Sequence, residues 1–105
     1  MGSYRSRFDI IADILQVVKA NDSAKKTQIM YGANLSYNLL TKYLAEISEA
    51  CLMKLERSRG CYVLTDKGRK FLEHYREYSK RNRHIERQLE NVNAKKKVLE
   101  ELCST

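Results

Sequence analysis

The sequence contains no proline and no tryptophan, and it has four glycines among 105 residues. It also lacks any apolar run approaching the ~20 residues needed to span a bilayer. Without proline, nothing removes a backbone donor or collides with the preceding turn, which suits long uninterrupted helices. Without the apolar run, a membrane-spanning helix is excluded, and Asp9 and Asp13 break the first apolar stretch in a way that argues against a signal peptide. Cysteine is sparse too. Cys51, Cys61 and Cys103 are odd in number and far apart, with no CxxC pair, and His74 and His84 stand ten residues apart, so metal-ligand spacing is missing. There is no GxGxxG, no P-loop and no Ser/His/Asp grouping with a plausible pocket. These absences predict an intracellular protein that is not an enzyme and needs neither cofactor nor metal.

What the chain does have is positive charge, unevenly placed, for a net +7. Residues 1–24 are neutral, residues 25–65 carry six basic against three acidic side chains, and residues 66–105 carry eleven against seven. A basic balance attracts polyanions, nucleic acid or anionic membrane alike. Charge alone does not choose between them.

The apolar spacing predicts a mainly α protein with one small β-hairpin. A first helix spans about Tyr4 to Ala20, with Phe8, Ile11, Leu15 and Val18 on one face, and Asn21-Asp22-Ser23 ends it. A short second helix follows, with Thr27 as a candidate N-cap. Gly32-Ala33-Asn34 then makes a tight connection, because Gly and Asn tolerate the left-handed conformation. Ser36 caps a third helix reaching about Ala50, whose stripe is Leu39, Leu40, Tyr43, Leu44 and Ile47. The period then changes. Leu52, Met53 and Leu55 read as a strand, Arg57-Ser58-Arg59-Gly60 as a turn, and Cys61 to Leu64 as the returning strand. Thr65 caps a last helix with Asp66 in its first turn, running to about Leu102. This divides the chain into a head, residues 1–65, and a long helix, residues 66–105.

Three helices and a hairpin in this order form a winged helix-turn-helix, in which the longer helix after the tight turn lies in the DNA major groove. Its open face offers Ser36, Tyr37, Asn38, Thr41, Lys42 and Ala45, small or hydrogen-bonding side chains of the kind the groove admits. Asn38 is the best candidate for a base edge, since its amide can pair with adenine. Lys25, Lys26 and Thr27 at the start of the second helix are placed for phosphate. Arg57 and Arg59 at the hairpin tip are placed for the backbone or the minor groove. The opposed reading is a protein-docking module without DNA, since winged helices also serve that purpose.

The run Thr27-Gln28-Ile29-Met30-Tyr31-Gly32-Ala33-Asn34-Leu35-Ser36-Tyr37, then Tyr43-Leu44, then Tyr62-Val63-Leu64-Thr65-Asp66-Lys67-Gly68, resembles the archaeal winged-helix DNA-binding family. It is similar to the dimeric ten-kilodalton (class a) Sulfolobus DNA-binding proteins, and the likeness covers nearly the whole chain. The resemblance implies the head described above, a coiled-coil homodimer and a chromatin-associated or regulatory role in the cytoplasm, on the nucleoid.

The tail supports a second copy independently. Tyr75, Tyr78, Asn82, Ile85, Leu89, Val92, Lys96, Leu99 and Cys103 alternate steps of three and four, the spacing of a coiled-coil seam. Direction is balanced. Parallel helices oppose Lys96 to its own copy, whereas antiparallel helices centred on Leu89 bring Arg81 towards Lys95 of the other chain. The family resemblance favours antiparallel, which would set each head ~35 Å from the dyad at the helical rise. Phe71 and Leu72 are expected to pack on the head instead.

Overall fold

The computed structural model describes residues 5–104 and contains α1 (Arg7–Ala20), α2 (Lys26–Gly32), α3 (Tyr37–Glu49), β1 (Met53–Glu56), β2 (Cys61–Leu64) and α4 (Asp66–Cys103). This is the mainly α, winged helix-turn-helix arrangement followed by a long helix. The chain divides into two compact units, Met1–Tyr75 and Arg76–Thr105. The first unit thus ends ten residues beyond the boundary read from sequence, because the opening turns of α4 complete it.

Within the first unit, α1 starts at Arg7, and the predicted start at Tyr4 lies outside the described residues. The cap is Ser6, whose Oγ accepts from the Asp9 amide at 3.2 Å while the Asp9 carboxylate accepts from the Ser6 amide at 2.8 Å. Ile11, Leu15 and Val18 are buried as their spacing predicts, joined by Ile10 and Ile14. Phe8 is not: it is 46% exposed, and its ring meets Phe71 (centroids 6.4 Å apart).

Helices α2 and α3 end alike. Asn34 (φ +53°) and Cys51 (φ +61°) take the left-handed conformation. The amides beyond the caps then turn back: Asn34 to the Tyr31 carbonyl and Leu35 to Met30, and likewise Cys51 to Ser48 and Leu52 to Ile47. Of the two residues the sequence offered for the left-handed conformation, Asn34 takes it and Gly32 does not. The role of Gly32 is steric, since a Cβ there would stand 2.8 Å from a Val17 γ-methyl.

Strands β1 and β2 pair antiparallel, Met53 opposite Leu64 and Glu56 opposite Cys61. Ala24 adds an isolated bridge to Tyr62, with reciprocal amide-to-carbonyl bonds of 3.1 and 2.8 Å, which ties the hairpin to the α1–α2 connection. A one-residue strand has no period, so sequence patterning does not reveal it. Side chains of Ile14, Leu15, Val18, Ile29, Leu40 and Ile47 form the fully enclosed centre of the core. Thr65 caps α4 as expected: its Oγ1 accepts from the Gly68 amide at 3.0 Å and donates to the Cys51 carbonyl at 2.6 Å.

Leu72 is buried and Phe71 packs against the core. Tyr75, read from sequence as the first seam position, also packs here: it stacks on Phe71 with centroids 6.3 Å apart, and its hydroxyl donates to Asp9. The heptad phase cannot distinguish an aromatic facing its own head from one facing a partner, which is why the two readings differ.

Asp9 therefore serves two elements. The Tyr75 hydroxyl, and after it the Ser6 amide, hold its carboxyl below the ordinary carboxylate range. A depressed folded-state value means that stability is present above the ordinary value of about 4 and is lost as pH falls through and below it. In thermal melts across pH, Asp9→Asn should melt below wild type at neutral pH, and the gap should close below about pH 4. A gap that stays constant down to pH 2 would remove Asp9 from this role.

Candidate nucleic-acid interface

Helix α3 buries Leu40, Tyr43, Leu44 and Ile47, with Leu39 half-buried, and leaves Ser36, Tyr37, Asn38, Thr41, Lys42 and Ala45 exposed. The local reason is the cap. Ser36 Oγ accepts from the Leu39 amide at 3.2 Å, which fixes the helix start and therefore which side chains turn outward. Thr41 Oγ1 donates to the Tyr37 carbonyl at 2.9 Å, so its proton is engaged while its lone pairs remain open. The Asn38 side chain makes no hydrogen bond among the described residues, so its amide group is available. The Lys42 ammonium lies 5.9 Å from the Tyr43 ring centroid.

Helix α2 starts one residue before Thr27. The Gln28 side-chain oxygen accepts from the Lys25 amide at 2.9 Å, so Lys25 is the N-cap and Thr27 is an exposed residue of the first turn, not the cap. Lys26 is brought onto α3: its ammonium stands 4.4 Å from the Tyr37 ring centroid and donates to the Tyr37 hydroxyl at 3.3 Å. This contact joins the starts of the two helices through one cation and one aromatic. Tyr37 is still 61% exposed.

The connection between α2 and α3 is held by a residue that sequence reasoning missed. The Arg5 guanidinium donates to the carbonyls of Ala33 (2.6 Å) and Asn34 (2.9 Å) and pairs with Asp13 at 3.1 Å. No local pattern reveals such a clamp, because its partners lie up to 29 residues away. Glu46, the first acid on α3, pairs with Arg7 and is neutralised there.

At the hairpin tip the two arginines differ. Arg59 is bound to Glu56, with one bond of 2.8 Å, whereas exposed Arg57 has no hydrogen bond or ion pair among the described residues. The hydrogen bonds that Arg7 donates to Glu46 and Arg59 donates to Glu56 raise both guanidinium groups above their usual value, so both remain cationic.

In the second unit, Tyr78, Ile85, Leu89, Val92 and Leu99 are between 51% and 64% exposed, a continuous apolar stripe with Asn82 and Lys96 interspersed. Asn82 Nδ2 donates to Glu86 at 3.4 Å. No helix among the described residues is long and apolar enough to cross a membrane.

Comparison with known proteins agrees with this geometry. A family model described as winged helix-turn-helix matches residues 4–83. Two uncharacterized proteins of Methanocaldococcus jannaschii are similar. One is 38% identical over 69 residues, 66% of this chain and 31% of that protein. The other is 33% identical over 66 residues, 63% of this chain and 65% of that protein. The matched segment is thus less than two thirds of either relative. Among solved structures, Sso10a-2, a DNA-binding protein from Sulfolobus solfataricus, aligns over 96% of this chain and 99% of its own, with 28% identity and a TM-score of 0.64.

Proposed function

Because the chain belongs to the winged helix-turn-helix family, we propose that it binds double-stranded DNA as a homodimer, without catalysis, in chromatin organisation or transcriptional regulation. The observation that carries this is the outer face of α3. It presents Ser36, Tyr37, Asn38, Thr41 and Lys42 with no acid before Glu46, and Glu46 is already paired to Arg7. A helix so furnished suits the major groove, where amides and hydroxyls meet base edges. The likeness to a DNA-binding protein over nearly the full length of both chains points the same way.

In this reading Asn38 reads a base edge, with Ser36, Thr41 and Lys42 beside it, while Lys25, Lys26 and Thr27 face phosphates. Tyr37 positions the Lys26 ammonium. Arg57 leads the hairpin contact, and Arg59 joins it by exchanging Glu56 for phosphate. Residues 66–105 supply the dimer contact through the stripe from Tyr78 to Leu99. An apolar side chain of this size gains about 1.5–3 kcal/mol on full burial, so the stripe has a strong reason to find a partner.

Two variants test the assignment. Arg57→Glu should weaken binding to every duplex and flatten its salt dependence. Asn38→Ala should cost about 1–3 kcal/mol on a preferred sequence and far less on random DNA. If Arg57→Glu leaves retention on DNA unchanged, the hairpin has no part in the interface and a docking role is the better reading. Equal weakening of both DNAs by Asn38→Ala would remove the base-reading role.

A further inference from the structure

The second unit has another face that neither the core nor the apolar stripe explains. Arg76, Lys80, Arg83 and Arg87 follow one another at steps of four, three and four residues, and all are exposed. At 3.6 residues per turn they line a strip about 60° wide, roughly 160–220° around the axis from Ile85. The strip is therefore opposite the apolar stripe, and burying that stripe leaves it open.

Like charges three and four residues apart repel on a helix, so this strip destabilises the helix unless counter-charges relieve it. Glu73, Glu77, Glu86 and Glu90 each stand three residues from one of the four cations. None of them forms an ion pair with the strip among the described residues. Glu86 instead accepts from Asn82, and Arg83 donates to the Ser79 hydroxyl at 3.1 Å.

We propose that this strip is a second DNA contact, seated on the backbone phosphates of a duplex. It rests on the DNA-binding reading above. Successive cations rise about 4.5–6 Å along the axis, and each DNA strand carries one negative charge per roughly 3.4 Å of its own axis. The charges can therefore meet without compressing either partner. Three of the four are arginine, whose guanidinium grips phosphate with two donors. No amide side chain lies within the strip, so the contact reads charge and not sequence.

The test compares two double variants of the full chain that lose equal charge, Arg83→Gln/Arg87→Gln on the strip and Lys95→Gln/Lys97→Gln away from it. Glutamine keeps helix propensity high, and circular dichroism and sedimentation mass should match wild type in both. In a salt-series titration on random duplex, the strip variant should flatten the log–log slope by about 1.8 per DNA-bound protomer, at 0.9 per lost phosphate contact. The off-strip variant should change it by less than half as much. Equal change in both variants, or none in the strip variant, overturns the proposal. So does a strip variant that loses binding to phosphatidylserine vesicles while keeping the wild-type slope on duplex. If wild type itself fails to bind duplex, the DNA reading falls first. If only Arg57→Glu weakens binding, the strip alone is refuted.

Discussion

Replacing Gly68 by alanine should lower the melting temperature by on the order of 10 °C, about 2 kcal/mol or more in a domain of this size. Two opposed effects decide the sign. Alanine is favoured over glycine in a helix interior by about 1 kcal/mol. Against that, a Cβ at residue 68 would stand 2.2 Å from the Leu52 carbonyl oxygen and 2.8 Å from a Leu64 methyl. The methyl can turn aside, but the carbonyl cannot. It is backbone, and it accepts from the Thr65 amide at 3.2 Å, the bond that sets the start of α4 against the end of α3. Overpacking costs about 1–3 kcal/mol even where side chains yield, and here the nearest atom is backbone. Gly32→Ala is the matched control, because the three atoms nearest its Cβ would all belong to the Val17 side chain, the first at 2.8 Å. That variant should stay within about 1 kcal/mol of wild type, since propensity offsets the crowding. A Gly68→Ala protein that melts with wild type would mean that α4 does not seat on Leu52 as described.

Ile85→Glu combined with Leu89→Glu should yield a monomer of 12.3 kDa where wild type is expected to sediment at twice that mass. Both side chains lie mid-stripe, 62% and 58% exposed in the single chain, and a carboxylate at either position would be buried without a partner in any seam. DNA binding should fall on the order of 10²–10⁴-fold through loss of avidity, although no head residue has changed. Helix content should drop as well, because an isolated polar helix is marginal in water. The outcome that sinks this reading is a wild-type protein already monomeric at micromolar concentration. The stripe would then need a different partner.

Local signals carried much of this molecule into its sequence. Ser36 and Thr65 cap the helices they precede, and the stripe from Leu40 to Ile47 faces the core, because caps and helical periods depend only on near neighbours. Several misses share a cause: they depend on contacts far apart in the chain. Arg5 clamps carbonyls on the far side of α2, Ala24 borrows an edge from Tyr62, and Tyr75 answers to Asp9. Thr27 looked like a cap by residue type, yet Gln28 reaches back to the Lys25 amide and moves the helix start. Nothing local to Gly68 marks it as the place where two backbones approach. At the interface, sequence chose residue types well suited to DNA but could not see that Glu56 occupies Arg59 while Arg57 stays open.

The most direct measurement is a titration of wild-type protein with random and selected duplexes between 50 and 200 mM salt, ranges over which backbone binders change affinity by about 10³–10⁵ when they make 6–10 phosphate contacts. The account predicts binding that weakens steeply with salt on both duplexes, with Asn38→Ala affecting the selected one more. A protein that stays free of duplex even at the lowest salt would contradict it, whatever the geometry of its head.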